Sequence, residues 1–92
     1  MLTMYEIKLV NCAAKYYKKM DSGTKQALNR CFENLKVDPE NHSNIKKLHG
    51  KLIGLYRYRV GQIRIVYRIE KTDNVVVILA IAPRGNIYKR NI

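Results

Sequence analysis

Residues 4–10 alternate loosely between apolar and polar side chains, the pattern of a strand with one face buried. The period then lengthens. Ala13, Tyr16, Tyr17 and Met20 fall on one helical stripe with Lys15, Lys18 and Lys19 facing away, and Asn11 is placed to cap the helix they predict. Asp21-Ser22-Gly23 interrupts it. A second stripe of Ala27, Leu28, Cys31, Phe32 and Leu35 predicts another helix, which must end before Asp38-Pro39 because the residue preceding proline avoids helical angles. Residues 38–50 are polar and predict a loop with one turn of helix around 43–48. Three strand-like runs follow, at 52–60, 63–70 and 74–83, the first two joined by Gly61-Gln62, a pair suited to a two-residue type II′ hairpin turn. No repeat or low-complexity tract interrupts this order. It predicts an α+β domain: an N-terminal strand, a two-helix hairpin, then a three-stranded antiparallel meander with the helices packed on one face. At 92 residues the chain has apolar surface for one core, so residues 1–92 are expected to form a single domain.

A two-residue turn also fixes register. Val60 is expected to oppose Ile63, Arg59 to oppose Arg64, Tyr58 to oppose Ile65, Arg57 to oppose Val66 and Tyr56 to oppose Tyr67. Tyr56, Tyr58, Val60, Ile63, Ile65, Tyr67 and Ile69 then share the face that packs under the helices, and Arg57, Arg59, Arg64 and Arg68 share the other. On the last strand Val75, Val77, Leu79 and Ile81 are assigned to the core. Val76, Ile78, Ala80 and Ala82 take the arginine face, with Arg84 next in the same parity. Arginines on an exposed strand are by default a solvated surface. Confinement to one face, with Arg59 directly across from Arg64, argues for more, because opposed like charges destabilise a sheet by some tenths to about 1 kcal/mol. A phosphate seated between guanidiniums removes that repulsion, and arginine's planar fork binds phosphate bidentately. The alanines would floor a shallow groove, and Tyr88, four residues past Arg84, could stack on a base or orient a phosphate oxygen.

Charge favours a polyanionic partner. Eighteen Lys and Arg against seven Asp and Glu give a net charge of +11, which suits nucleic acid, an anionic membrane or an acidic protein alike. The longest apolar run, 75–82, is too short to cross a bilayer, and Glu6 interrupts the layout of a signal peptide, so a soluble cytoplasmic protein without membrane contact is expected. Cys12 and Cys31 have no Cys or His at metal-ligand spacing, with His42 and His49 the only histidines. Both cysteines are expected to be small core hydrophobes, with no metal and no cofactor.

Over its whole length the sequence resembles the RelE/ParE toxin superfamily of bacterial and archaeal toxin–antitoxin modules. The residues that carry the resemblance are Lys47-Leu48-His49-Gly50, Leu55-Tyr56-Arg57-Tyr58-Arg59-Val60-Gly61, Ile63-Arg64-Ile65-Val66-Tyr67, Ala82-Pro83-Arg84 and Ile87-Tyr88. It implies a toxin that cleaves mRNA in the ribosomal A site without a metal, by attack of a ribose 2′-OH on the adjacent phosphate. The catalytic positions carry over to Arg57, Arg59, Arg64, Arg84 and Tyr88, with Lys47, Lys51, Arg68 and Lys89 expected to contact RNA. Arg64 and Arg84 would hold the phosphate, and Tyr88 would position the substrate. In the best-known branch the first two basic positions are lysines. Arginine cannot surrender a proton as a depressed lysine can, so Tyr88, His49 or Lys51 takes that role or the reaction runs on electrostatics and alignment. His49 by itself reads as an ordinary loop histidine. The resemblance further implies a cognate antitoxin whose C-terminal segment covers the basic face, and contact with operator DNA only through that antitoxin. Its ParE branch poisons DNA gyrase instead of cutting RNA, and a non-catalytic basic RNA-binding module is the remaining alternative.

Overall fold

Both helices pack the stripe their sequence marks out against the core, with Tyr16, Tyr17 and Met20 only partly buried. In the computed structural model, which describes residues 4–83, α1 (Asn11–Lys18) buries Ala13, and α2 (Ser22–Val37) buries Leu28, Cys31, Phe32 and Leu35. Each fully buried leucine contributes roughly 1.5–3 kcal/mol over an exposed one. Asp21 caps α2 by accepting the Thr24 amide at 2.9 Å, which holds its carboxyl below the ordinary aspartate range. The expected cap of α1 is corrected: Val10 occupies that position and no side chain bonds the open amides, while Asn11 is the first helical residue.

Among the described residues five strands form one sheet in the order β1-β5-β4-β3-β2. They are β1 (Glu6–Leu9), β2 (Ile45–Lys47), β3 (Tyr56–Val60), β4 (Ile63–Glu70) and β5 (Val75–Pro83). β1 runs parallel to β5 and every other pair is antiparallel. The expected turn of helix around 43–48 is instead the strand β2, paired to β3 on the far edge, and the single helical turn lies later, a 3₁₀ turn at Gly50–Leu52. Consequently the run expected to pair from residue 52 begins pairing only at Tyr56.

The hairpin between β3 and β4 has the register read from the sequence, from Val60↔Ile63 through Arg59↔Arg64 and Arg57↔Val66 to Tyr56↔Tyr67. Gly61 has φ +58°, the left-handed region that the first position of a type II′ turn requires. The last strand departs from expectation. Between Val66/Tyr67 the register shifts, so that Val66 faces Ala80 while Tyr67 faces Ile78, leaving Leu79 unpaired in a bulge. The extra residue reverses the parity of the first half of β5. Val76 and Ile78 lie in the core beneath the helices with Ile65, Tyr67 and Ile81, and Val75 and Val77 face the other way, opposite Glu70 and Arg68.

Three tyrosines carry their rings into this core and their hydroxyls out to partners. The Tyr67 hydroxyl donates to the Pro39 carbonyl at 2.7 Å, Tyr58 accepts from the Asn34 amide at 3.2 Å, and Tyr56 donates to Glu40 at 3.2 Å. Burial drives the Tyr67 hydroxyl far above the ordinary tyrosine range, so it stays protonated as a donor. The Tyr56 and Tyr67 bonds tie the polar segment after α2 to β3 and β4, and the Tyr58 bond ties α2 itself to β3. Glu40 also meets Lys71 at 3.1 Å, joining that segment to the turn between β4 and β5. Cys31 is buried and its thiol is pushed up to about 12 by desolvation, an inert core group. Cys12 is exposed, contrary to expectation, with its thiol 3.7 Å from the Leu79 carbonyl at the bulge. Among the described residues no helix is long and apolar enough to cross a membrane.

Replacing Tyr67 with Phe keeps the ring and leaves the Pro39 carbonyl buried without its donor. The expected loss is about 1–3 kcal/mol of stability, measured by urea denaturation; an unchanged midpoint would show that this bond does not hold the segment.

Candidate anion-binding face

Sheet pairing and the helical layer together decide which side chains are free. Side chains alternate between the faces of a strand. Since Tyr58, Ile65 and Tyr67 pack under the helices, Arg57, Arg59 and Arg64 must project from the opposite face. Arg59 is paired directly with Arg64, and Arg57 lies diagonally across from Arg64, on the order of 7–8 Å between backbones by ordinary sheet geometry.

Beside them sits a second, smaller apolar cluster: Val66 and Ala82 fully covered, with Leu48, Leu55 and Ala80 packed against it. Ala82 pairs with Arg64 and Ala80 with Val66, so both alanines lie on the arginine face. Half-burial of Arg57 and Arg64 follows from this setting. Their Nε atoms are buried and find no hydrogen-bond partner among the described residues. A buried donor without a partner ordinarily costs about 1–3 kcal/mol, and more when charged.

Among the described residues no acid pairs with Arg57, Arg59 or Arg64. The ion pairs formed among the described residues occupy other cations: Lys36 with Glu33, Lys71 with Glu40, and Arg68 with Glu70 at 2.9 Å. Arg68 shares the arginine face but stands four residues from Arg64 along β4, about 13 Å at 3.3 Å per residue. Both its Nε and Nη2 bond Glu70. Its surroundings, with Glu6, Lys8 and Asp73, are of mixed sign. Lys47 pairs with Tyr56 and therefore has the parity of the helical side, whereas its neighbour Lys46 pairs with Arg57. Sequence reading passed over Lys46. Lys51 is exposed in the 3₁₀ turn, and His49 precedes that turn. Arg84, Tyr88 and Lys89 lie outside the described residues. The structure thus gathers Arg57, Arg59 and Arg64 and sets Arg68 apart. The cluster can neutralise a bound anion, its three arginines carried side by side on two paired strands.

Residues 7–88 match the family described as ParE toxin of the type II toxin–antitoxin system parDE, a span that takes in Arg84 and Tyr88. Among solved structures, the chain is similar to the archaeal RelE–RelB complex from Pyrococcus horikoshii, with 26% identity, a TM-score of 0.77, and 89% of this chain and 97% of that one covered. It is similar also to the RelBE2 toxin–antitoxin complex from Mycobacterium tuberculosis, with 26% identity, a TM-score of 0.76, and coverage of 88% and 99%. The E. coli RelBE toxin–antitoxin complex shares the fold at 20% identity, with a TM-score of 0.75 and coverage of 88% and 98%. No curated protein sequence matches the chain.

Opposed guanidiniums should be felt in the stability of the free protein. Arg59→Gln is expected to raise it by some tenths to about 1 kcal/mol at low ionic strength, a gain that shrinks as salt brings the screening length to about 8 Å. Urea denaturation at two salt concentrations measures this, and a loss of stability at low salt would contradict the opposition.

Proposed function

The chain belongs to the ParE toxin family and is a toxin of a type II toxin–antitoxin system, and from that premise we propose that it is a ribosome-dependent endoribonuclease that cuts mRNA in the A site. The observation that carries the reading is the cluster of Arg57, Arg59 and Arg64, none of them ion-paired among the described residues, two with buried unsatisfied Nε atoms, on the sheet face the helices leave free. Residues 1–92 act as a single toxin domain.

In this reaction the ribose 2′-oxygen forms a bond to the adjacent phosphorus and the bond from phosphorus to the 5′-oxygen breaks. A 2′,3′-cyclic phosphate and a 5′-hydroxyl result. The 2′-proton leaves to a base and the departing oxygen gains one, so no oxidant and no metal enters the balance. Negative charge grows on the phosphoryl oxygens as the bond forms, and fixed guanidiniums beside them stabilise that charge most where water is excluded. Arg64 and Arg84 hold the phosphate, Arg57 and Arg59 share in neutralisation, and Tyr88 positions the substrate so that the 2′-oxygen lies in line. Lys51 and Lys89 add contacts to the RNA backbone, whereas Lys47, on the helical side, does not. Since arginine does not give up its proton, Arg57 and Arg59 act by charge alone.

The partner in this proposal is a cognate antitoxin. Several neighbouring structures are toxin–antitoxin complexes, and a net charge of +11, with an arginine cluster that forms no ion pair among the described residues, suits an acidic C-terminal segment laid over the basic face. Contact with operator DNA would come only through the antitoxin. The protein works in the cytoplasm, where its substrate is.

The family match bears the name of ParE, which favours a second reading, a poison of DNA gyrase. Purified protein incubated with programmed ribosomes is expected to cut mRNA at the A-site codon and leave 2′,3′-cyclic phosphate ends. Arg64→Ala should lower the cleavage rate by on the order of 10²-fold, the usual cost of removing one preorganised charge-stabilising donor. Intact mRNA with inhibited supercoiling in a parallel gyrase assay would give the second reading. Intact mRNA and active gyrase, with steeply salt-dependent RNA binding, would leave a non-catalytic RNA-binding module.

A further inference from the structure

We propose that Lys46 is a substrate-binding residue that carries the anion site across β2, so that RNA crosses β4, β3 and β2 instead of running along one strand. This rests on the reading of the arginine face as an RNA site. The first support is register. Lys46 pairs with Arg57, while Ile45 and Lys47 on either side pair with Tyr58 and Tyr56. Ile45 packs against the main core, so Lys46 must face the other way, onto the side that carries Arg57, Arg59 and Arg64.

That placement is clamped at both ends. Arg59 donates its amide to the Asn44 carbonyl at 3.1 Å, and Leu48 donates to the Leu55 carbonyl at 2.9 Å, so backbone bonds flank the three-residue strand on each side of Lys46. A slip by one residue, the error to which so short a strand is prone, would break both. Leu48, two residues along on the same face, is packed into the second apolar cluster, which fixes the direction of that face independently.

Electrostatics gives the second support. Lys46↔Arg57 and Arg59↔Arg64 are two directly opposed like-charge pairs on one face of three adjacent strands. Lys46 is exposed and makes no ion pair among the described residues. Each such pair costs some tenths to about 1 kcal/mol in the free protein, and the repulsion reverses into attraction when phosphates lie between the cations. Strands in a sheet stand about 4.8 Å apart, so the cations of β2, β3 and β4 form a short band that crosses the strands obliquely, with Lys46 and Arg57 at one level and Arg59 and Arg64 two residues along. The other end of the same face is different: Glu6, Lys8, Arg68, Glu70 and Asp73 balance one another there, and it offers a polyanion no continuation along β4.

The test measures binding of a labelled single-stranded RNA with 2′-O-methyl riboses, which cannot be cleaved, over a range of salt. Lys46→Ala is expected to weaken binding several-fold and to reduce the slope of log affinity against log salt by about 0.7, one phosphate contact to a single strand, with Lys46→Arg restoring both. Lys15→Ala removes the same charge from the helical layer and should change neither. In the cleavage assay Lys46→Ala should raise KM and leave kcat near its original value. If Arg64→Ala weakens binding and Lys46→Ala behaves like Lys15→Ala, the Lys46 assignment is wrong and the arginine site stands. If Arg64→Ala binds as tightly as the unaltered protein, the arginine site fails and this inference with it.

Discussion

A slip of β3 by one residue against β4 would turn Arg57 and Arg59 toward the helices and Tyr56 and Tyr58 toward water, and would part them from Arg64 on its strand. Side chains alternate with a period of two, so pairing is all or nothing for the whole hairpin. What prevents the slip is local and tertiary at once. Gly61 takes the left-handed conformation that a two-residue turn needs, and the residues that must then point inward are the ones with ring surface to bury and partners for their hydroxyls. Burial of one face is what makes the other face a site. Arginines on a two-sided, solvated ribbon could rotate away from one another, whereas on a sheet backed by a helical layer they are held side by side.

Holding them there has a cost. Two opposed like-charge pairs and two buried Nε donors without partners are local losses of stability, and they sit beside strands whose inner face is unusually well anchored. Tyr67 is fully buried with its hydroxyl satisfied, Tyr58 is bonded to α2 and stacked on His42 at 5.1 Å between ring centres, and Tyr56 stacks on Tyr67 at 5.6 Å. The same strand pair therefore carries strong packing on one side and unrelieved charge on the other. A ligand that supplies negative charge stabilises the folded state as it binds, which couples occupancy to stability.

How far this was legible in the sequence depends on the length of each signal. The two helices and the register of β3 with β4 were readable because each has a long periodic pattern or a turn with one favoured geometry. β5 was read correctly only in its second half. Residues 75–82 are apolar throughout, so alternation is silent there, and nothing in a continuous apolar run marks Leu79 as the extra residue that reverses parity. β2 was read as a helical turn because three residues in a polar stretch carry no period, and its pairing with β3 is a long-range fact. Lys46 was missed for that reason, and Lys47 was preferred to it: parity within three residues cannot be assigned without the partner strand. Asn11 resembled a cap by residue type, but the helix starts one residue earlier relative to it.

The bulge at Leu79 does more than complicate the reading. Without it, a β5 that put Val76 and Ile78 under the helices would also put Ala80 and Ala82 there and send Ile81 to the arginine face. One unpaired residue lets large side chains fill the core on both sides of it, while the small ones fall opposite Arg64 and Val66. A β-branched side chain in place of Ala82 would stand directly across from Arg64 and fill the space beside the guanidinium. The insertion thus reconciles a tightly packed inner face with an outer face low enough for a sugar-phosphate chain to approach the arginines. It does so at the end of the sheet where the positive charge is not balanced by acids.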